Sequence, residues 1–272
     1  MIIRIAKLLA EEFMEMIYMQ QKVLRAIAFI PTVIFVVMFA MLELIYADEG
    51  KKGVVTYIAG SVKKQPSNSK EWIKAEKNTA VNDGEKVRTY KASRAELQLL
   101  ELDIIRMAPR TMIDIVKLYD ETKEKRREVQ IHLQKGELWA NVSPKGKKAK
   151  FDITNPVTAM AITGTIVRMS VGDDSTTLLK VYKGEVQLTN APDRTDLQPK
   201  SIEPYEVPGP YEVPGPQEVS VEQWLYIVKS MQQIKVDNTG KVIFQGAFSR
   251  KDVDEQSDWI KWNRQRDRNS AK

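Results

Sequence analysis

Short runs in which apolar and polar residues alternate one by one constrain this chain more than any other feature. Val129, Ile131 and Leu133 alternate with Gln130, His132 and Gln134; Ala95, Leu97 and Leu99 repeat the pattern, and Val167, Met169 and Val171 flank Arg168 and Ser170. Successive side chains of an extended strand point to opposite faces, so a period of two predicts strands with one buried face. Glycines and prolines at Gly60, Gly84, Pro109, Gly136, Pro144, Pro156, Gly164, Gly172 and Gly184 supply the turns between them. Gly84-Glu85-Lys86-Val87, Gly136-Glu137-Leu138-Trp139 and Gly184-Glu185-Val186-Gln187 follow one another at 52 and 48 residues. A glycine in a turn conformation ahead of a strand accounts for each. The spacing suggests comparable layers, so the expected fold is mainly β, either a short β-solenoid or stacked β-sheets.

The N-terminal part has a different texture. Seventeen consecutive uncharged residues separate Arg25 from Glu43, and Leu44, Ile45 and Tyr46 extend the apolar stretch. Residues 26–46 as a helix would be roughly 31 Å long, close to the ~30 Å hydrocarbon core of a bilayer. The expectation is one transmembrane helix or uncleaved signal anchor, kinked by Pro31 and with Glu43 near the headgroups. Signal cleavage after Ala47 is the competing reading. Basic residues on the two sides nearly balance, and the N-terminus is placed inside because about 225 residues follow the span. Residues 2–22 carry a loose helical pattern, with Glu11, Glu12 and Glu15 opposing tight binding to anionic lipid.

Composition narrows the chemistry. The 272 residues contain no cysteine and one histidine, which excludes cysteine nucleophiles, disulfide frameworks and zinc sites needing two histidines. A net charge of +6 comes from 42 basic and 36 acidic side chains well mixed, which describes a solvated surface rather than a nucleic-acid footprint. His132 sits on the polar phase of its strand and is expected to face solvent. Asp173 and Asp174, beside Gly172, read as hairpin chemistry. Asp103 and Asp114 are not paired in sequence as two carboxylates across a cleft would require. Gly164-Thr165 lacks the spacing of a phosphate loop. Lys123, Lys125, Arg126 and Arg127 are interleaved with acids, and Lys145, Lys147, Lys148 and Lys150 form a solvated basic loop. No residue is assigned to catalysis, to a cofactor or to a metal.

Beyond the alternating segments, Pro204-Tyr205-Glu206-Val207-Pro208-Gly209 is repeated as Pro210-Tyr211-Glu212-Val213-Pro214-Gly215, giving a stiff proline-rich connector over residues 191–217. In the extension 218–272, Gln223–Gln233 looks helical and Val242–Phe244 reads as a short strand. The tail places Trp259 and Trp262 on one helical face, with Arg264 and Arg266 close by. These four are the candidate interaction surface. Docking on the chain's own β domain is the expected use, and a partner site the sharper alternative.

An ordered set of motifs resembles the FecR-like domain of bacterial envelope proteins. The set runs from Gly60-Ser61-Val62 through Trp72, Asp83-Gly84-Glu85-Lys86-Val87-Arg88-Thr89, Ser93-Arg94-Ala95-Glu96-Leu97 and Ile105-Arg106-Met107-Ala108-Pro109-Arg110-Thr111. It continues with Gly136-Glu137-Leu138-Trp139, Asn155-Pro156 and Gly164-Thr165, and ends at Val181-Tyr182-Lys183-Gly184-Glu185-Val186. The likeness covers about residues 53–190, and departs at Thr163, where the family commonly has arginine. Well-known relatives are sigma-factor regulators with a cytoplasmic anti-sigma domain, for which residues 1–25 offer no room. The resemblance therefore implies a non-enzymatic, membrane-anchored envelope protein without cofactor or nucleic acid. Its periplasmic domain would bind or sense an envelope protein partner. A secreted carbohydrate-binding or cell-wall-acting protein and a purely mechanical scaffold are the alternatives. An aromatic cleft with paired carboxylates would favour the carbohydrate reading, and a buried Trp139 the first.

Overall fold

The computed structural model describes residues 14–20, 53–100, 103–121, 126–143, 149–191, 197–202 and 222–270. Residues 1–50 and 51–272 form separate compact units. In the first, residues 14–20 are helical and exposed. The expected span 26–46, the basic loop Lys145–Lys148 and the duplicated hexapeptide lie outside the described residues. Among the described residues no helix is long and apolar enough to cross a membrane.

In the second unit, alternation becomes two hydrogen-bonded ladders joined through one long strand. The first ladder runs β4 (Ala80–Val81), β1 (Gly53–Ala59), β6 (Arg94–Leu99), β7 (Asp103–Met107), the C-terminal half of β9 (Arg126–Asn141), β12 (Ile166–Val171), β13 (Thr177–Lys183), β17 (Gln232–Val236) and β18 (Val242–Ala247). The second runs β3 (Ile73–Lys74), β2 (Val62–Gln65), β5 (Lys86–Thr89), β8 (Met112–Glu121), the N-terminal half of β9, β10 (Ala149–Thr154), β11 (Ala159–Ile162), β14 (Glu185–Thr189), β16 (Leu225–Lys229) and β15 (Pro199–Ser201). Among the described strands, only β9 with β10 and β15 with β16 pair in parallel. A solenoid coils in one sense and stacks parallel strands, whereas this chain reverses at nearly every rung. Of the two expected β architectures, stacked antiparallel ladders are the one that forms.

The recurrent Gly-Glu motif has a common structural cause. Gly84, Gly136 and Gly184 have φ of +73°, +96° and +84°, and at each the chain passes from one ladder to the other. At Gly136 a Cβ would lie 2.5 Å from both Cα and Oγ1 of Thr111, so the corner needs both the left-handed backbone and the missing side chain.

Between the ladders, the inward phase of each strand forms one apolar core. Leu97, Leu99, Ile105, Leu138, Val167 and Met169 from the first ladder meet Val87, Ile113, Ile115, Ile131, Leu133 and Ile153 from the second. The expected helix at Gln223–Gln233 is instead the pair β16 and β17. No glycine or proline marks this turn, which places Met231 at φ +63°, while Val228 and Ile234 take buried positions in the two strands. The strand expected at Val242–Phe244 is β18, extended to Ala247. The ladders thus continue past residue 190 through β15–β18, and β15 falls within the span read as a connector. A 3₁₀ turn, Val253–Gln256, and the C-terminal helix, Asp258–Ser270, complete the unit.

Candidate interaction site on the outer face of the first ladder

The outward phase of the first ladder carries polar residues that an isolated strand would leave in water. Strand register sets them in one row: Tyr57 opposite Glu96, Glu96 opposite Arg106, Arg106 opposite Trp139, Trp139 opposite Arg168, and Arg168 opposite Lys180. The 3₁₀ turn and the C-terminal helix cover this row. Arg106 is 0% exposed and Lys180 2% exposed, on the face that faces away from the apolar core.

Each charge in the row has a partner in the covering segment. Arg106 donates from Nε to Glu96 at 2.6 Å and from Nη1 to Asp267 at 2.7 Å. Arg266 reaches back from the helix and grips Glu96 through Nε and Nη2, both at 2.7 Å. Asp267 also accepts from Trp139 Nε1 and Asn141 Nδ2, each at 3.0 Å. At the other end, Glu255 is wholly buried and accepts from Arg168 at 3.0 Å, Lys180 at 3.3 Å, Tyr182 at 2.9 and 3.0 Å, and Arg264. Asp254 accepts from Lys180 at 2.7 Å and Arg168 at 3.1 Å, and Arg168 Nε is held by Glu137 at 2.8 Å.

Aromatic rings fill the space between these ionic ends. Trp139 and Tyr182 have centroids 4.5 Å apart, Tyr182 meets Phe248 edge-on at 5.2 Å, and Trp262 lies 5.4 Å from both Tyr57 and Trp259. The Arg94 guanidinium sits 5.7 and 5.6 Å from the Trp259 and Trp262 rings. Trp259 is buried, while Trp262, Arg264 and Arg266 are half-buried. All four therefore face their own β domain.

The surroundings tune these groups. Burial pushes the Glu96 carboxyl up, but hydrogen bonds from Arg266, Arg106 and Thr56 outweigh it and hold the group at about 2. Burial, then the Glu255 carboxylate, push the Tyr182 phenol up, so it remains a donor. Burial opposes the charge of Arg168, but the Glu137 and Glu255 carboxylates outweigh it and raise the group. Asp254 is lowered, since Lys180 and Arg168 overcome its partial burial.

The other sequence candidates lie apart from this seam. His132 is on the polar outer face of the second ladder, half-buried, with Nδ1 2.9 Å from Thr154 Oγ1. Asp114, on the same ladder, is held by Gln134 at 2.7 and 2.8 Å, whereas Asp103 belongs to the first ladder and accepts from the Ser143 amide at 3.2 Å. The two are not brought together. Asp174 closes its own turn by accepting from Thr176 N at 3.0 Å and Oγ1 at 2.8 Å. Gly164, at φ +63°, is a corner between ladders. Arg127 pairs with Asp120 at 3.2 Å, and Lys150 with Asp152 at 2.8 Å. Among the described residues no three histidine or carboxylate side chains gather as a metal site.

Sequence reading singled out the tail and missed the row beneath it. A signal was present: Ala-Glu-Leu, Ile-Arg-Met, Leu-Trp-Ala, Val-Arg-Met and Leu-Lys-Val each place one polar or tryptophan residue between inward apolar neighbours. Only strand register aligns them.

The arrangement is that of a β-sheet module whose specific chemistry lies on a sheet face rather than in a cleft. Residues 85–187, from β5 into β14, match the family model described as FecR protein. Two crystal structures of a "putative anti-sigma factor" from Parabacteroides distasonis are similar to this chain at 13% identity, with TM-scores of 0.42 and 0.41. Each alignment covers 62% of this chain and 62% of the other. Comparison with curated proteins gives no match.

Proposed function

We propose that this protein is a non-enzymatic, membrane-anchored envelope protein whose FecR domain binds or senses other envelope components. The match of residues 85–187 to the FecR family carries the reading. The apolar run 26–46 supplies an anchor of bilayer length, with the β unit on the periplasmic side. The character of the seam supports a binding role. Its ionisable groups are tied to one another, and Trp139 is 1% exposed.

The test is placement and partnership in the native cell. The expected result is recovery in the membrane fraction, protease accessibility of the β unit only after the outer barrier is opened, and a native mass that includes residues 26–46. Photo-crosslinking from surface positions of the FecR domain should then capture an envelope protein. Recovery of the intact chain in the cytosol would overturn the reading, and a terminus at Asp48 would replace the anchor with a secreted form.

A further inference from the structure

The seam between the C-terminal segment and the first ladder is built differently from the rest of the unit. It buries Arg106, Arg168, Lys180, Glu96 and Glu255 on the outside of a sheet, where apolar packing ordinarily serves. Buried ion pairs contribute little net stability, because desolvation of the charges offsets their attraction. What they supply is selection of one partner over another. The seam is also incompletely satisfied. Arg106 Nη2, Trp259 Nε1, Asn263 Oδ1 and Arg264 Nε are buried without a hydrogen bond. Such atoms each penalise the closed state.

The halves of the seam are complementary in charge. The ladder contributes Arg106, Arg168 and Lys180 with Glu96 and Glu137; the segment sets Asp254, Glu255 and Asp267 opposite those cations and Arg266 opposite Glu96, while Arg94 lies over the Trp259 and Trp262 rings. Without the segment, the row would present a basic surface floored by Trp139 and Tyr182. Such a surface fits a turn followed by a helix, with one carboxylate in the turn and another near the end of the helix, as Glu255 and Asp267 are, and an aromatic residue between them.

We propose that the outer face of the first ladder is a receptor for a tryptophan-bearing turn-and-helix segment of a partner protein that sets carboxylates on its cations, and that the chain's own residues 253–270 are its displaceable resident. This deepens the binding role proposed above and rests on it. Recognition in trans then means exchange of one set of carboxylates for another on Arg106, Arg168 and Lys180, with the resident released.

The test uses the full chain in detergent micelles and, as probe, a labelled peptide of residues 249–270. The chain variant Glu255→Gln with Asp267→Asn loosens the resident and leaves the receptor row intact. Amide exchange over 258–270 should quicken by at least about tenfold in this variant, while β6 and β9 keep their protection. The variant should bind the peptide at least about tenfold more tightly than the native chain does. A peptide carrying Asp254→Asn, Glu255→Gln and Asp267→Asn should not bind. Release of the resident without capture of the peptide would overturn the receptor, and exchange of 258–270 only with the whole ladder would overturn displaceability. Growth of the variant to a dimer with its segments still protected would make a second copy the occupant and overturn the partner. Should the double variant fail to fold, Asp254→Asn alone, at a half-exposed carboxylate, tests the same order of effects. The proposal concerns isolated protein, so its failure is distinct from a misplaced cellular location.

Discussion

The two faces of the first ladder use opposite chemistry with the same degree of burial. On the inner face Leu97, Ile105 and Leu138 are 0% exposed, as is Arg106 on the outer face. Each inner side chain contributes about 1.5–3 kcal/mol by leaving water, with little regard to which neighbour it meets. The outer groups contribute only when a particular partner stands at hydrogen-bond distance. The inner face therefore sets whether the unit folds, and the outer face sets which segment may lie on it.

The sharpest way to break this contrast is to damage each face once and see how far the damage spreads. Leu97→Ala should lower global stability by about 2–5 kcal/mol, read by denaturant unfolding. All probes should move together, since the core is shared by both ladders. Arg106→Ala should cost about 3 kcal/mol, because it strips a donor from both Glu96 and Asp267. Its signature should be faster amide exchange in Asp258–Ser270 ahead of the core strands. If both variants unfold in one step with equal exchange, the two faces are not energetically distinct.

Gly136→Ala probes the corner that joins the ladders. With φ at +96° and a Cβ 2.5 Å from Thr111, it should cost about 1–3 kcal/mol, measured by thermal unfolding against the native chain. Acidification sharpens the comparison from the charged side. Glu96 is held at about 2 against an ordinary 4.5, so its contribution is complete above that ordinary value and is lost as pH falls towards 2. The groups facing it are Arg106, Arg266 and Thr56. Glu96→Gln should flatten the acid dependence of tryptophan fluorescence. Val253→Ser is the smallest change, within about 0.5 kcal/mol by denaturant unfolding, because Val253 is 92% exposed beside the seam.

Legibility followed the range of the interactions involved. β6, β9 and β12 were readable because alternation is a local signal, and the corners at Gly84, Gly136 and Gly184 because a left-handed backbone favours glycine. β16 and β17 were misread as helix because Ser230-Met231 turns the chain without glycine or proline, the residues that signal a turn. The spacing of Trp259 and Trp262 was visible, whereas the row they cover joins residues from β6 to β13.

By itself the sequence determined the strands, their inward faces, the glycine corners and the FecR likeness, since these depend on neighbours within a few residues. Only the tertiary structure decided that the chain reverses instead of coiling, and that Glu96, Arg106, Trp139, Arg168 and Lys180 form one line beneath the C-terminal helix. Register is a long-range choice, made when whole faces find the packing that buries them together, and no local alternation encodes it.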